Sequence, residues 1–400
     1  MLNYIIKNIY IYMAEQIIKK ISFPRDFCIP EKLIHSVAFH PTELLLATCS
    51  DDHTAKLWSF DPNGLRPTDC VATLVGHTNS VVSVAFHPTE LLLATGSVDE
   101  TAKLWSFAPN GSNATCVATL DEHDGHVLSV AFHQNGRFLA TGSMDGTAKL
   151  WRFDPNGSNA TCVETLVEHT DSVLSVAFHP TELLLATGSF DDTAKLWSFA
   201  PNGSSVSCVA TLKGHTDYVS SVAFHQNGRF LATGSHDHTA NLWRFEPDGS
   251  NANRVATLEG HKDIIESVAF HPTELLLATG SIDGTVKLWS FDPNGSNTTC
   301  MATLAEDEKI VISSVAFHPN GRFLAAGSYN QTVQLWNCSL LRDRKQRETL
   351  NESNKHPGGG SISRRKHKRS NRKRSKRLMK KNSRKKRGTI SKYRWFRNER

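Results

Sequence analysis

The stretch GHTNSVVSVAFHPTELLLATGSVDETAKLW, residues 76–105, decides the fold of this chain, because near-copies of it recur along the sequence. Within it, His77, Thr95 and Asp99 are residue types that a nucleophilic triad could use. Two interpretations therefore compete, a catalytic site and a structural network inside a repeated unit. A catalytic site is needed only once, so the number of copies separates the two.

Each copy ends in a tryptophan, and successive tryptophans are 46 or 47 residues apart. They are Trp58, Trp105, Trp151, Trp197, Trp243, Trp289 and Trp336. Self-similarity at this period indicates one supersecondary unit copied seven times. Every copy contains four short runs rich in β-branched residues, separated by turn signals such as HPTE and DPNGSN. No copy has room for a crossover helix, so antiparallel sheets are predicted and parallel α/β folds are excluded.

A Gly-His pair before one strand, followed at fixed spacing by Ser-x-Asp and Trp, resembles the WD-repeat family. The resemblance covers residues 33 to about 350 and implies an all-β fold, a seven-bladed β-propeller of four-stranded antiparallel blades. One departure is visible. The dipeptide that names the family is absent, since Ser, Arg or Asn follows each repeated tryptophan.

In that family the His, Ser or Thr, Asp and Trp of a repeat form a buried hydrogen-bonded tetrad. The resemblance implies that Asp accepts a hydrogen bond from the His ring, that the other ring nitrogen faces Thr, and that Trp donates its indole proton. The implied sets are His77, Thr95, Asp99, Trp105; His123, Thr141, Asp145, Trp151; His169, Thr187, Asp191, Trp197; His215, Thr233, Asp237, Trp243; and His261, Thr279, Asp283, Trp289. Five equivalent copies favour the structural network, so we predict no catalytic residues, no cofactor and no enzymatic activity.

The first and last copies depart from the tetrad pattern. Pro30 takes the histidine position before blade 1, and Ala326 and Asn330 replace Thr and Asp in blade 7. Terminal repeats are expected to be atypical, so the ring should close between blades 7 and 1. We expect an N-terminal strand within residues 20–28, KISFPRDFC, to close it, with residues 345–350, KQRETL, as the competing segment.

Positions that differ between copies are free to serve a ligand, and several of them fall next to the turn aspartate or in the loop after the histidine position. The resemblance places the turn positions at the mouth of the central channel. We predict a mixed apolar rim there that binds protein or peptide partners. Its residues are Val98, Met144, Phe190, Tyr218, His236, Ile282 and Tyr329. Neutral drift after recent duplication is the alternative interpretation.

The histidines and cysteines follow the repeat. Of 19 histidines, one ends the SVAF strand of every copy and five belong to tetrads. Equivalent histidines lie on separate blades, so we predict no metal site, and His236 with His238 supply too few ligands. Five cysteines occupy one repeat position, which makes disulfides between them unlikely on geometric grounds and favours a reducing compartment rather than secretion.

The C-terminal segment is strongly basic. Residues 355–400 contain 21 of the 45 Lys and Arg but only one of the 39 Asp and Glu, so the rest of the chain is acidic. The clusters predict nuclear or nucleolar import and possible RNA or DNA contact, with Trp395 able to stack on bases. The residues predicted to serve import or nucleic-acid contact are Arg364, Arg365, Lys366, Arg372, Lys373, Arg374, Lys385, Lys386, Arg387 and Trp395. Folding of the tail onto the acidic body is the alternative.

The predicted domain organisation is a disordered leader (1–21), a propeller (22–350), a linker (351–362) and a basic disordered tail (363–400). Polar residues interrupt the apolar leader too often for a transmembrane helix, and Met13 is an alternative start. The sequence thus predicts a monomeric, non-catalytic nuclear scaffold without a small-molecule substrate. A ubiquitin-ligase adaptor and a cytoplasmic or membrane-surface scaffold are the alternatives.

Overall fold

The computed structural model describes residues 19–21, 32–60, 67–305 and 310–338. Contacts divide the chain into residues 1–341 and 342–400. The second unit, with the predicted linker, basic tail and competing closing segment, lies outside the described residues, as does most of the predicted leader. In the described ranges, no helix is long and apolar enough to cross a membrane.

The described residues form strands arranged in seven sheets, which we call blades. Blade 1 contains β2 (Ile34–Phe39), β3 (Leu45–Ser50), β4 (Thr54–Phe60) and β5 (Pro67–Val75). Blade 2 contains β6 (Val81–Phe86), β7 (Leu92–Ser97), β8 (Ala102–Ser106) and β9 (Thr115–Leu120). Blade 3 contains β10 (Val127–Phe132), β11 (Phe138–Ser143), β12 (Ala148–Arg152) and β13 (Thr161–Leu166).

The remaining blades follow the same order. Blade 4 contains β14 (Val173–Phe178), β15 (Leu184–Ser189), β16 (Ala194–Ser198) and β17 (Ser207–Leu212). Blade 5 contains β18 (Val219–Phe224), β19 (Phe230–Ser235), β20 (Ala240–Arg244) and β21 (Asn253–Leu258). Blade 6 contains β22 (Ile265–Phe270), β23 (Leu276–Ser281), β24 (Thr285–Ser290) and β25 (Thr299–Ala305). Blade 7 contains β26 (Ile312–Phe317), β27 (Phe323–Ser328), β28 (Val333–Asn337) and β1 (Lys19–Ile21).

The seven blades form a closed ring around a central channel. Each blade is an antiparallel meander, and its first strand in the chain is the innermost, except that blade 7 takes its outer strand from the N-terminus. Each inner strand contacts the inner strands of the two neighbouring blades, and β2 contacts β26. The predicted all-β, seven-bladed propeller of four-stranded antiparallel blades is therefore confirmed.

The apolar core lies between blades, because each sheet packs both of its faces against neighbours. The second strand of every blade, for example β11, is buried at all six positions. Between blades 2 and 3, Leu104, Val127 and Trp151 belong to one buried cluster. Fully burying an aliphatic side chain of this kind stabilises the fold by roughly 1.5–3 kcal/mol. The outer strands, such as β9, are mostly half-buried or exposed, as an outer edge requires.

The ring closes through an N-terminal strand, as predicted. Lys19 pairs with Asn337 and Ile21 pairs with Leu335, in antiparallel register. Residues 22–31 lie outside the described residues. The paired residues, Lys19–Ile21, are the last three of the predicted leader (1–21). Pro24 removes a backbone donor from the segment chosen from the sequence, and pairing through Lys19–Ile21 avoids it.

Candidate functional site

The tetrad of blade 2 brings together the four residues implied by the repeat. The His77 ring donates from Nδ1 to Asp99 Oδ2 at 2.8 Å, because a carboxylate can only accept. Thr95 Oγ1 then donates to His77 Nε2 at 2.7 Å and itself accepts from Trp105 Nε1 at 2.9 Å. The chain of donors therefore runs from Trp through Thr and His to Asp.

The four other tetrads have the same geometry. Their His–Asp distances are 2.7–2.9 Å and their His–Thr distances are 2.6–2.7 Å. The tryptophan donates to the threonine at 2.9–3.0 Å. Burial alone would raise the pKa of Asp99, but hydrogen bonds from His77 and Thr101 hold it well below its usual range. The ionised carboxylate therefore anchors each network.

The tetrads are closed to a substrate. The oxygen that a triad would use as its nucleophile belongs to a threonine that is 0% exposed in all five blades. Each tetrad histidine side chain is at most 2% exposed. A buried and fully hydrogen-bonded network fixes the loop before each inner strand to the turn between the second and third strands.

Blades 1 and 7 replace the tetrad with smaller networks. In blade 1, Trp58 still donates to Thr48 Oγ1 at 2.9 Å, while Lys56 Nζ lies 2.5 Å from Asp52 Oδ2. The equivalent lysine of blade 2, Lys103, instead donates to Thr119 on the outer strand. A lysine thus supplies the positive partner of the turn aspartate in blade 1, while the nearest described histidine, His35, bonds the neighbouring Asp51. Pro30 lies outside the described residues.

In blade 7 the turn is held by Asn330 alone. Its side-chain oxygen accepts from Ser328 and from Thr332 Oγ1. Ala326, at the threonine position, is 0% exposed and makes no polar contact through its side chain. Blade 7 therefore lacks both the threonine hydroxyl and the aspartate carboxylate of a tetrad. No buried hydroxyl at position 326 needs a hydrogen-bond partner.

The residues before each turn surround one end of the central channel, which we call the channel mouth. Their backbone N–H groups donate to carbonyls in the loop that enters the inner strand of the same blade, as Val98 does to Ser80 at 2.9 Å and His236 does to Tyr218 at 2.9 Å. These main-chain bonds fix the position whatever the side chain. The mouth residues are Asp51, Val98, Met144, Phe190, His236, Ile282 and Tyr329.

The structure buries four of the side chains predicted to form a partner-binding rim. They are Val98 (4% exposed), Phe190 (9%), His236 (8%) and Ile282 (5%). Seven inner strands converge here, so neighbouring side chains cover one another and fill the mouth. Met144, Tyr218 and Tyr329 are half-buried. A partner on this face would therefore meet these three rather than all seven.

Aromatic rings connect blades 4 and 5 at the mouth. The Phe190 and Tyr218 centroids are 4.2 Å apart in an edge-to-face arrangement, and Tyr218 lies 5.3 Å from the His236 ring. Carboxylates surround this cluster. Burial, followed by the negative charges of Asp217, Asp191 and Asp237, raises the pKa of Asp192. The carboxylates beside Tyr218 therefore disfavour one another's negative charge.

The comparisons with known families fit this geometry. Seven segments match the family described as WD domain, G-beta repeat, at residues 29–59, 68–106, 114–152, 160–198, 206–244, 252–290 and 298–337. Together they cover more than half of the chain. The protein belongs to the WD40 family. WD40 propellers are generally non-catalytic platforms for protein interaction. A search of curated proteins found no match to this chain.

Six of the seven WD40 matches begin on or just before the outer strand of one blade and continue through three strands of the next. The match to residues 68–106, for example, spans most of β5 and then β6 to β8. A single WD40 repeat therefore ties two neighbouring blades together. The tetrad uses this arrangement, since its histidine lies in the loop between those two blades.

Histidines at the end of the SVAF strands link neighbouring blades of the WD40 ring, a role that the sequence analysis did not assign. We call the contact between two blades a joint. At five joints a histidine Nε2–H donates to a turn carbonyl of the next blade at 2.8–3.2 Å. These histidine links use His87, His133, His179, His225 and His271. The presence of this histidine in all seven copies was the available signal.

The linking histidines are held neutral. Their Nδ1 atoms accept from the backbone of their own turn, as His87 does from Glu90 N at 2.8 Å. Burial lowers the pKa of His87, His133, His179 and His225, and it lowers the pKa of His40 to about 4. Protonation of Nδ1 would remove the acceptor, so the turn and the neutral ring stabilise each other.

Serines of the inner strands form a second set of bonds across the WD40 joints. Ser83 Oγ accepts from Val130 N of the next blade at 3.1 Å, and Ser129 accepts from Val176 N at 3.0 Å. Equivalent serine links join blades 4–5, 5–6, 6–7 and 7–1 at 3.1–3.2 Å. The closing joint therefore carries the same serine link as the five joints from blades 2–3 to blades 6–7.

Within residues 32–60, 67–305 and 310–338, no group of three or more His, Cys, Asp or Glu side chains could hold a metal ion. His236 belongs to the aromatic cluster, while His238 lies 3.9 Å from Asp263 of the next loop. The five repeated cysteines are free thiols that are exposed or half-buried on the outer strands. They are Cys70, Cys116, Cys162, Cys208 and Cys300.

Proposed function

We propose that this protein is an interaction platform that binds a basic segment of a partner protein at the channel mouth between blades 4 and 5. The observation that carries the proposal is the close contact of Phe190 with Tyr218, at 4.2 Å, beside the mutually repelling Asp192 and Asp217. Aromatic rings bordered by carboxylates suit Lys and Arg side chains, whose charge and aliphatic stems both find partners.

The negative charges of three nearby carboxylates repel that of Asp192. The raised pKa of Asp192, caused by burial and then by Asp217, Asp191 and Asp237, means that its negative charge is less favourable than that of an isolated aspartate. A cationic ligand would relieve this repulsion, and it would also be steered toward the face at low ionic strength. Complementary charge sets the specificity and the rate of encounter, while Tyr218 and Met144 supply contact area.

The test is a titration of the full chain with a fluorescent peptide rich in Lys and Arg, followed by anisotropy at low and at physiological salt. The double variant Asp192→Asn, Asp217→Asn should weaken binding about tenfold or more, since two carboxylates near the ligand are neutralised. The matched control is Asp154→Asn, Asp292→Asn, in exposed turns at the opposite ends of the strands. Equal affinity of the two double variants would contradict the proposal, as would tight binding of an acidic peptide.

We also propose that the basic residues 363–400 direct the protein to the nucleus and contact RNA or DNA. The density of Lys and Arg in this segment supports import and counterion release from a phosphate backbone. Microscopy of the full chain and of residues 13–354 separates this proposal from a cytoplasmic or membrane-surface scaffold. Nuclear accumulation of the truncated chain would contradict a role of the tail in import.

Affinity purification separates the two proposed binding elements. Full-length protein and residues 13–354 are each purified with and without nuclease, and partners are identified by mass spectrometry. Partners that survive both truncation and nuclease bind the propeller. Partners that disappear with either treatment are held by nucleic acid on the tail.

A further inference from the structure

The seven joints of the ring are not equally linked. Five carry both a histidine link and a serine link, from the joint between blades 2 and 3 to that between blades 6 and 7. The closing joint carries a serine link from Val37 N to Ser314 Oγ, and Ser313 Oγ also donates to Ile34 O at 2.6 Å. These bonds secure the joint where the two ends of the ring meet.

The joint between blades 1 and 2 carries neither link. Ser36 and Val84 occupy the serine-link positions and are both described, yet no hydrogen bond joins them, unlike their equivalents at the other six joints. His40 is 3% exposed, and its Nε2 makes no hydrogen bond. Its equivalents in blades 2 to 6 reach a turn carbonyl of the next blade.

The sequence differs at this joint in a way that accounts for the two missing links. Six blades have glycine at the fifth position of the second strand, where a Cβ would meet the next inner strand at 2.6–3.0 Å. At Gly96, for example, a Cβ would lie 2.9 Å from Val127 O. Blade 1 has Cys49 there, fully buried in a cluster with Val81 and Val84. The Cβ and Sγ atoms of Cys49 therefore occupy space between β3 and β6 where the other six joints have only a glycine hydrogen.

We propose that the joint between blades 1 and 2 is a hinge at which this ring opens, in preference to the joint that closes it. On the channel-mouth side, the Ser80 side chain interacts across the joint with the Asp51 carboxylate and lowers its pKa, together with His35. Opening therefore proceeds from the face that carries His40, and it exposes the apolar layer with the Cys49 thiol. This inference goes beyond the proposed function and does not depend on it.

The two missing links set how much larger the opening constant of this joint is than that of the other joints. Each interblade hydrogen bond of this kind contributes enough that losing two raises the local opening constant about tenfold or more. The apolar cluster around Cys49 still holds the joint closed most of the time. A small opening constant of this kind is visible to chemical labelling and to amide hydrogen exchange.

The first test uses two buried thiols of the unmodified full chain. Cys49 reports on the joint between blades 1 and 2, and Cys338 lies in the apolar cluster between blades 6 and 7, where both links are present. Under native conditions, alkylation followed by site-resolved mass spectrometry should modify Cys49 about tenfold or more faster than Cys338. Equal rates, or faster modification of Cys338, would overturn the proposal.

The second test exchanges the two residue types between joints. Cys49→Gly should slow amide exchange across β6 (Val81–Phe86) about tenfold, because the joint can then close to the glycine spacing. The matched variant Gly188→Cys, at the joint between blades 4 and 5, should speed exchange across β18 (Val219–Phe224) by a similar factor. Unchanged or faster exchange in β6 of Cys49→Gly would show that the cysteine fills the joint without spreading it.

Discussion

At the scale of single residues, the threonine hydroxyl at the centre of each tetrad holds the network together. In blade 4, Thr187 Oγ1 accepts from Trp197 Nε1 at 2.9 Å and donates to His169 Nε2 at 2.6 Å. Both partners are buried, so neither can turn to water if the hydroxyl is removed. Blade 7 has alanine at this position and no tetrad histidine within the described residues.

We expect Thr187→Val to lower the free energy of unfolding by about 2–4 kcal/mol. Valine has nearly the same shape, so the loss comes from two buried groups left without a partner. Urea denaturation measures it. Thr216→Val serves as the control, since Thr216 is exposed and its side chain is outside the network. Similar losses in the two variants would contradict the assignment of the effect to the tetrad.

The lysine of the third strand has two different roles in equivalent places. Burial would raise the pKa of Asp52, but hydrogen bonds from Lys56 and Thr54 lower it, so the pair is a partly buried ion pair in blade 1. We expect Lys56→Met to cost about 1–2 kcal/mol, between the values for exposed and buried pairs. Lys103→Met, which breaks only a bond to an outer-strand hydroxyl, should cost within about 0.5 kcal/mol. Equal costs in urea denaturation would show that Lys56 does not replace the missing histidine.

The histidines that end the SVAF strands make stability depend on pH. Burial lowers the pKa of His40 to about 4 from the ordinary 6.5 and lowers that of His87, His133, His179 and His225 as well. Their contribution is complete above pH 6.5. It is lost progressively as the pH falls toward 4, because the unfolded chain takes up protons before the folded one.

We expect the free energy of unfolding to fall by about 2 kcal/mol or more between pH 7.5 and pH 5. Replacement of His225 by glutamine should reduce this slope, and His238→Gln, at an exposed position, should leave it unchanged. A second loss should begin near pH 3.8, because the unfolded chain protonates its aspartates there while the native tetrad aspartates, whose pKa values are lowered, stay ionised. A flat profile between pH 7.5 and pH 5 would contradict this account.

At the scale of elements, the outer strand of blade 7 is the shortest of the outer strands. β1 pairs with β28 through three residues, from Lys19 with Asn337 to Ile21 with Leu335. The outer strand of blade 3 pairs through five, from Ala148 with Leu166 to Arg152 with Thr161. A three-residue pairing still covers the backbone edge that β28 would otherwise present to solvent.

We expect deletion of residues 1–21 to lower the melting temperature by more than about 5 °C, because β28 loses its antiparallel partner. Differential scanning calorimetry measures the change. Deletion of residues 1–12, which leaves β1 in place and begins the chain at Met13, is the control and should melt as the full chain does. An unchanged melting temperature in the longer deletion would show that β1 is dispensable for closure.

At the scale of the whole molecule, closure makes every blade depend on two neighbours. Six of the seven WD40 matches span two blades, each tetrad fixes the loop that enters its blade, and the interblade links cross the boundaries between sheets. A closed ring of this kind should unfold as one unit, in contrast to an open repeat array, whose ends fray first.

We expect Thr95→Val in blade 2 and Thr187→Val in blade 4 to shift one shared urea transition by equal amounts. The tetrads are equivalent and the free energy belongs to the ring, so the m-value should not change. Tryptophan fluorescence and far-UV circular dichroism should give the same midpoint. Two separated transitions would show that groups of blades unfold independently.

The sequence alone determined the fold class, the number of blades and the blade containing each strand. These follow from local patterns repeated seven times in register, and the repeat spacing also selected the four residues of every tetrad. It also predicted closure by an N-terminal strand within residues 20–28, whereas the structure pairs Lys19–Ile21, because three residues form a strand only when an edge is available to pair with them.

Only the tertiary structure decided the exposure of the channel mouth and the linkage of the joints. Val98, Phe190 and Ile282 resemble an exposed rim in the sequence, yet seven converging strands bury them. The bonds from histidines and serines to the next blade join atoms almost fifty residues apart, so no local pattern reveals them. Cys49 differs from Gly96 by one small side chain, and that difference matters only because another strand packs against it.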